Sequence, residues 1–170
     1  MIYRPLTPAD APALAKLGAD TFVAAFGTLY TPQDLAKFLD EVYSPDAVAR
    51  EIAGGQCSYR LVEDDGALVA FCKLRHPTKF TDHSDAADPI ELAQLYALPG
   101  YTGSGVGAHL MDWTLETARS GGHDAVLLSV YAENHGAQRF YQRYGFQKIA
   151  DITFKVGDHY DPEYLYELKL

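Results

Sequence analysis

Cysteine is scarce in this chain, and so are tryptophan, positive charge and long apolar runs. Only Cys57 and Cys72 occur among 170 residues, and they form no Cys-x-x-Cys pair. A disulfide framework or a thiolate zinc cluster is therefore not what organises the fold. The six His are scattered without an HxxxH or HExxH pair, so no metal is expected. Lys and Arg number 14 against 23 Asp and Glu, a formal net charge of −9. No basic stripe exists to meet phosphates, which excludes DNA or RNA as an expected partner. The acidic balance is compatible with attraction of a cationic substrate, although it serves solubility equally well. No apolar run approaches the roughly 18 residues of a membrane span, so no membrane partner is expected. The opening Met1-Ile2-Tyr3-Arg4-Pro5 lacks the basic and apolar stretches of an export signal, and the expected location is cytoplasmic.

What the chain does have is aromatic and aliphatic side chains: 12 Tyr, 8 Phe and 48% hydrophobic residues. A chain of this length falls within the roughly 100–200 residues of one domain, so a single domain over residues 1–170 is expected, with a full core. The first half reads as a short strand, Ile2 to Leu6, followed by helices. Thr7-Pro8, Thr31-Pro32 and Ser44-Pro45 each pair an N-cap residue with Pro at the first helical position. Leu14, Leu17, Phe22 and Ala25, then Leu35, Phe38, Leu39 and Val42, keep helical spacing, and Gly54-Gly55 ends the helical half. From Ser58 the period becomes two, with a hairpin turn at Asp65-Gly66. His76 to Pro89 has neither period. A strand at Glu91 to Leu98, a glycine turn and a helix through Leu110 to Ala118 follow. After these come a buried strand at Val126 to Val130, a helix from Asn134 to Tyr144, and two strands divided at Gly157-Asp158. The order predicts an α+β or α/β fold, a central sheet with flanking helices.

The glycine turn is Thr102-Gly103-Ser104-Gly105-Val106-Gly107, between strand and helix. Bare glycines let a ligand approach the backbone, and free N–H groups at a helix start attract an anion such as a pyrophosphate. No Lys follows as in a P-loop, and the spacing is not the GxGxxG of a first βαβ unit. A tight turn with close helix packing would use the same glycines. About thirty residues on comes Asn134-His135-Gly136-Ala137-Gln138-Arg139-Phe140-Tyr141-Gln142-Arg143-Tyr144-Gly145-Phe146. Asn134, Ala137 and Tyr141 lie at i, i+3 and i+7 and share one helix face, joining an amide, a small gap and a phenol.

The two stretches resemble the [Q/R]-x-x-G-x-G/A and N-x-x-A-x-x-F-Y-x-x-x-G-F signatures of the GNAT superfamily of N-acetyltransferases, with Thr102 standing where Gln or Arg is usual. The resemblance implies a mixed, mostly antiparallel sheet with a splayed parallel pair. It implies acetyl-CoA as co-substrate, its pantetheine held by backbone groups of Leu95, Tyr96 and Ala97. Its pyrophosphate would sit on the turn of Thr102, Gly103, Ser104, Gly105, Val106 and Gly107. Asn134, Ala137 and Tyr141 complete the expected cofactor site.

The family reaction is direct attack of an amine on the thioester. An alkylammonium with a pKa near 10.4 must lose its proton first, at a cost of about 4–5 kcal/mol near neutral pH. Glu91, on the cofactor strand where histone-type members carry a glutamate, is the expected base, with inert Ala93 next on its face. Tyr141 is the expected partner of the CoA thiolate. Phe22 and Phe26 begin an aromatic series expected to border the acceptor, and the segment around them resembles bacterial spermidine/spermine acetyltransferases. A small-molecule amine, in particular a polyamine, is the expected acceptor. A lysine or N-terminal protein acetyltransferase and a non-catalytic acyl-CoA sensor remain as alternatives. Homodimers are common among members of the superfamily.

Overall fold

The computed structural model describes residues 1–170. Seven strands form one sheet: β1 (Ile2–Pro5), β2 (Cys57–Asp64), β3 (Ala67–Arg75), β4 (Pro89–Ala97), β5 (Ala125–Tyr131), β6 (Gln147–Val156) and β7 (His159–Lys169). Five helices flank it: α1 (Ala11–Phe26), α2 (Pro32–Tyr43), α3 (Pro45–Gly54), α4 (Val106–Ser120) and α5 (His135–Arg143). The spatial order is β1-β2-β3-β4-β5-β7-β6, antiparallel throughout except between β4 and β5. The α+β fold and its single parallel pair are as expected.

Local chemistry accounts for the helix starts. Thr31 and Ser44 accept, through their side chains, the N–H of Asp34 and of Ala47, each at 3.2 Å, with Pro32 and Pro45 directly behind them. Such caps contribute about 1 kcal/mol each. At the β2–β3 hairpin, Asp65 and Gly66 both adopt positive φ, 48° and 78°, the mirror-image turn that fits strand twist.

Strand alternation divides the core between the faces of the sheet. Leu61 and Phe71 turn toward Leu14, Leu17 and Val48 of α1 and α3. Val62, Cys72 and Leu74 turn the other way, toward Leu110 and Met111 of α4. Cys72 is fully buried against Thr114 at 3.2 Å, a core residue as expected, and both cysteines are free. A third cluster, Phe22, Phe38, Tyr43 and Val156, ties α1 and α2 to the end of β6.

The parallel pair is short. β4 meets β5 only at Pro89↔Ala125, Ile90↔Val126 and Glu91↔Leu127. Beyond that point β5 stays on β7 as far as Tyr131↔Glu163, while β4 stays on β3 as far as Ala97↔Ala70. In the β3–β4 ladder Leu74 faces Leu92 but Lys73 faces Gln94, so Ala93 is an extra residue. A bulge of this kind bends a strand and strengthens its twist, and here it carries β4 away from β5. The β5-facing edge of β4 beyond Glu91 is left without a strand partner. The bulge also corrects the sequence expectation that Ala93 follows Glu91 on one face. Gln94 does so instead, and its side-chain amide donates to Tyr43 Oη at 2.5 Å.

Candidate active site

A cavity of about 660 Å³ occupies the splay. Its wall includes Gln94 and Tyr96, on the sheet face covered by α1 and α3, and Ala137 and Tyr141 of α5, which belong to the core on the α4 side. One space therefore passes through the sheet. A backbone edge with free N–H and C=O groups must find partners elsewhere, and here it borders the opening.

The residues expected to hold a cofactor divide into two sets. Leu95, Tyr96, Ala97, Thr102, Asn134, Ala137 and Tyr141 all line the cavity. Gly103, Ser104, Gly105, Val106 and Gly107 lie outside it, at the start of α4. Gly103 and Gly105 have φ of +74° and +90°, in the region where a Cβ is strained, and both are open to solvent. The N–H groups of residues 103–107 donate to no carbonyl of the chain, so the first turn of α4 presents unpaired donors and its positive pole. The Val106 side chain is core, so only its backbone faces outward. Thr102 donates its hydroxyl to the Pro99 carbonyl at 2.9 Å. Asn134 caps α5, its Oδ1 accepting the Ala137 N–H at 3.2 Å, which leaves its amide N–H groups for another partner.

Tyr141 has no hydrogen-bond partner within the chain for its phenol. Burial first, then the neighbouring Tyr96, Cys72 and Glu163, push its pKa well above that of an ordinary phenol. The group stays protonated across the physiological range.

On the α1–α3 side, the cavity is an aromatic box. Phe22 stands at its centre, 4.5 Å from Phe38, 5.4 Å from Phe26 and 5.9 Å from Tyr30 between ring centroids. Phe26 in turn meets Tyr131 edge-on at 6.1 Å. Phe22 and Phe26 thus wall the chamber and also build the α1–α2 core.

Four carboxylates that are not fully exposed border this chamber, and in three of them both oxygens have partners. Glu51 receives Tyr59 and Lys73 on one oxygen, and Lys73 and Arg75 on the other. Asp161 accepts from the Tyr30 hydroxyl and faces His159 Nε2 at 3.0 Å. Glu91, the base expected from sequence, is 3% exposed. Its Oε1 accepts from Arg75 at 3.0 Å, and its Oε2 accepts from the Thr78 hydroxyl at 3.1 Å and the Lys79 N–H at 3.4 Å. Three of the roughly four acceptor sites of a carboxylate are thereby taken.

Glu163 differs from the other three. On β7, opposite Tyr131, it accepts the Ser129 hydroxyl at 3.2 Å on Oε1, while Oε2 is buried with no partner. Burial raises its pKa from 4.5 to about 7, only partly offset by Ser129. No motif marks it in the sequence, where it lies in a C-terminal strand. The available signal was the acidic alternation Asp161, Glu163, Glu167 along one strand face.

Comparison with known proteins agrees with this geometry. The model of the acetyltransferase (GNAT) family matches residues 22–146. An uncharacterized N-acetyltransferase of Mycobacterium tuberculosis is 34% identical over 156 residues, 92% of this chain and 95% of the relative. The N-alpha-acetyltransferase RimI of the same organism is 28% identical over 149 residues, covering 85% and 77%. Among solved structures, the PaiA N-acetyltransferase of Thermoplasma acidophilum, in complex with coenzyme A, superposes with a TM-score of 0.79 at 20% identity over 99% and 98% of the two chains. YncA of Salmonella typhimurium, with acetyl-CoA, gives 0.73 at 18% identity over 100% and 94%. The splayed sheet, the glycine turn and the matching family model together identify this chain as a member of the GNAT family of N-acetyltransferases.

Proposed function

We propose that the chain transfers the acetyl group of acetyl-CoA to a primary amine by direct attack, with Glu163 as general base. The observation that carries this reading is the buried, unpartnered Oε2 of Glu163, in a cavity that also reaches Tyr141. The pantetheine arm enters the splay and pairs with the free edge of β4 at Leu95, Tyr96 and Ala97, much as an added strand would. The pyrophosphate sits on the N–H groups of residues 103–107 at the positive end of α4. Thr102 and the free amide of Asn134 flank it, and the small Ala137 side chain leaves room for the arm. The coenzyme complexes of the two structural neighbours support this path.

An ammonium entering the aromatic box sheds water, which lowers its pKa, and it meets the one chamber carboxylate with a buried oxygen that has no partner. A base with a pKa near 7 is poised for proton abstraction at physiological pH. The neutral amine attacks the thioester carbonyl, a β4 backbone N–H stabilises the oxyanion, and the thioester C–S bond breaks. The surplus proton on the amine nitrogen passes to the departing thiolate to give amide and thiol. Tyr141 donates a hydrogen bond to the departing thiolate. Its raised pKa makes full transfer of its own proton uphill by more than about 2 kcal/mol against a thiol near 8.5, so it acts as a hydrogen-bond donor. Glu91, held by Arg75, Thr78 and Lys79, braces the wall of the acceptor chamber.

Aromatic faces beside Asp161 and Glu163 suit an alkylammonium chain, which supports a polyamine acceptor. The likeness to RimI favours a second reading, the α-amine of a polypeptide. A thiol-release assay over polyamines, monoamines and short peptides separates the two. With the best acceptor, Glu163→Gln lowers kcat/KM by about a hundredfold or more, the usual contribution of a positioned base. Glu91→Gln loses less than Glu163→Gln and retains the pH profile of the parent. The opposite ranking would return the role of base to Glu91.

A further inference from the structure

Beside the start of the parallel pair, three side chains that the transfer reaction does not use come together. His76 follows β3, Asp88 precedes β4, and His123 lies in the turn between α4 and β5. His76 Nε2 is 2.8 Å from Asp88 Oδ1, and His123 Nδ1 is 3.0 Å from Asp88 Oδ2. The imidazole centroids are 4.6 Å apart, and one ligand atom from each residue falls within 4.8 Å of the others. We propose that His76, Asp88 and His123 bind a divalent transition-metal ion, which clips both ends of the 76–88 loop to the α4–β5 turn.

The donor set is the first argument. Two imidazole nitrogens and one carboxylate oxygen suit zinc, nickel, copper or iron, whereas magnesium and calcium prefer oxygen alone. Spacing is the second. Metal–ligand bonds near 2.0–2.1 Å put neighbouring ligand atoms about 3.0–3.4 Å apart. Here the two His–Asp contacts are hydrogen bonds to different carboxylate oxygens. With all three ligand atoms within 4.8 Å, an ion would replace those bonds after a small closure of the imidazoles. Preorganisation is the third. The Asp124 carboxylate accepts the N–H of Ala87 at 2.7 Å and of Asp88 at 2.9 Å, which fixes the backbone that carries the carboxylate ligand. The N–H of His76 donates to the Gln56 carbonyl and that of His123 to the Ala118 carbonyl, each at 3.0 Å. His76 and Asp88 are exposed, so an ion has a path in and water can complete its coordination. The expectation of no metal rested on the lack of a His pair within one helix. Here the ligands come from three connections that only the folded sheet brings together.

The clip would act on the acceptor side. Between its two loop ligands run Thr78, which holds Glu91, and Lys79 and Phe80, which line the cavity. A bound ion would fix this wall while leaving the β4 edge and the glycine turn untouched. The inference is independent of which carboxylate serves as base.

The test uses the full chain without a polyhistidine tag, stripped with a chelator and then titrated calorimetrically with zinc chloride and with nickel chloride. The account predicts saturable uptake of one equivalent, weakened at least about tenfold in His76→Ala and in His123→Ala, since even loss of a supporting group costs that much at metal sites. His83→Ala, in the same loop but outside the cluster, leaves uptake unchanged. Metal slows hydrogen exchange of the amides of residues 78–87 in the parent and not in His123→Ala. Cobalt(II) gives a visible ligand-field spectrum on the parent protein, which keeps the proposal testable should a variant fold poorly. No saturable uptake and no such spectrum, or uptake that survives both cluster substitutions, overturns the site. Uptake without protection of the loop overturns the clip.

Discussion

At Glu163 the two oxygens of one carboxylate have different surroundings, and the difference has a thermodynamic consequence. Oε1 is hydrogen-bonded by Ser129, while Oε2 is buried and unpaired, so folding disfavours the charged form and the pKa rises from 4.5 to about 7. Below about pH 4.5 the group is protonated in both the folded and unfolded chain, and its ionisation costs nothing. Between about 4.5 and 7 the unfolded chain releases the proton first, so stability falls as pH rises, and above 7 the full penalty is present. Glu163→Gln should therefore be more stable than the parent at pH 8 by about 3 kcal/mol. Chemical denaturation at the two pH values should show this gain vanishing near pH 4. Tyr141 makes a complementary case: its phenol is buried, stays protonated and has no partner in the chain. Removing the hydroxyl in Tyr141→Phe takes away a donor used as charge develops on sulfur. The expected result in steady-state kinetics is a fall in kcat of about a hundredfold, with little change in the KM for acetyl-CoA.

Among the elements, β4 and the start of α4 shape the cofactor side, and they were unequally legible in the sequence. The glycine turn, the helix after it and the Asn134–Tyr141 face were all readable, because φ preferences and the i, i+3, i+7 spacing are local. The bulge at Ala93 was not, since it exists only as a mismatch between β3 and β4. Glu163 was hidden for a similar reason. The chain returns through β7 to lie between β5 and β6, and only that insertion sets Glu163 beside Ser129 and Tyr131. Glu91 was readable as a cofactor-strand carboxylate, but its engagement by Arg75 and Thr78 depends on a neighbouring strand and on a loop without periodicity. The N-terminal turn of α4 gives a test at this scale. Gly105 has φ +90°, and Gly105→Ala places a Cβ in a region that costs about 1–2 kcal/mol. Relaxation of the turn would misdirect the N–H groups, so the KM for acetyl-CoA should rise severalfold while kcat at saturation changes little.

Over the whole molecule, a net charge of −9 surrounds a chamber whose acidic groups are largely engaged by neighbouring side chains. Lys73 and Arg75 answer Glu51 and Glu91, and His159 and Tyr30 answer Asp161. The long-range field therefore draws cations toward the protein, while within the chamber Glu163 alone offers a buried unpartnered oxygen. For a polycationic acceptor, kcat/KM should fall more steeply with ionic strength between about 10 and 150 mM than for a monoamine, because screening lengths shrink to about 8 Å over that range. Equal slopes would remove electrostatic steering from the account. The most direct test of the catalytic assignment is the pH dependence of kcat/KM for the parent and for Glu163→Gln, measured with one acceptor at saturating acetyl-CoA. The account predicts an ascending limb with an apparent pKa near 7 in the parent and its loss in the variant. A limb that persists unchanged after the substitution would contradict it.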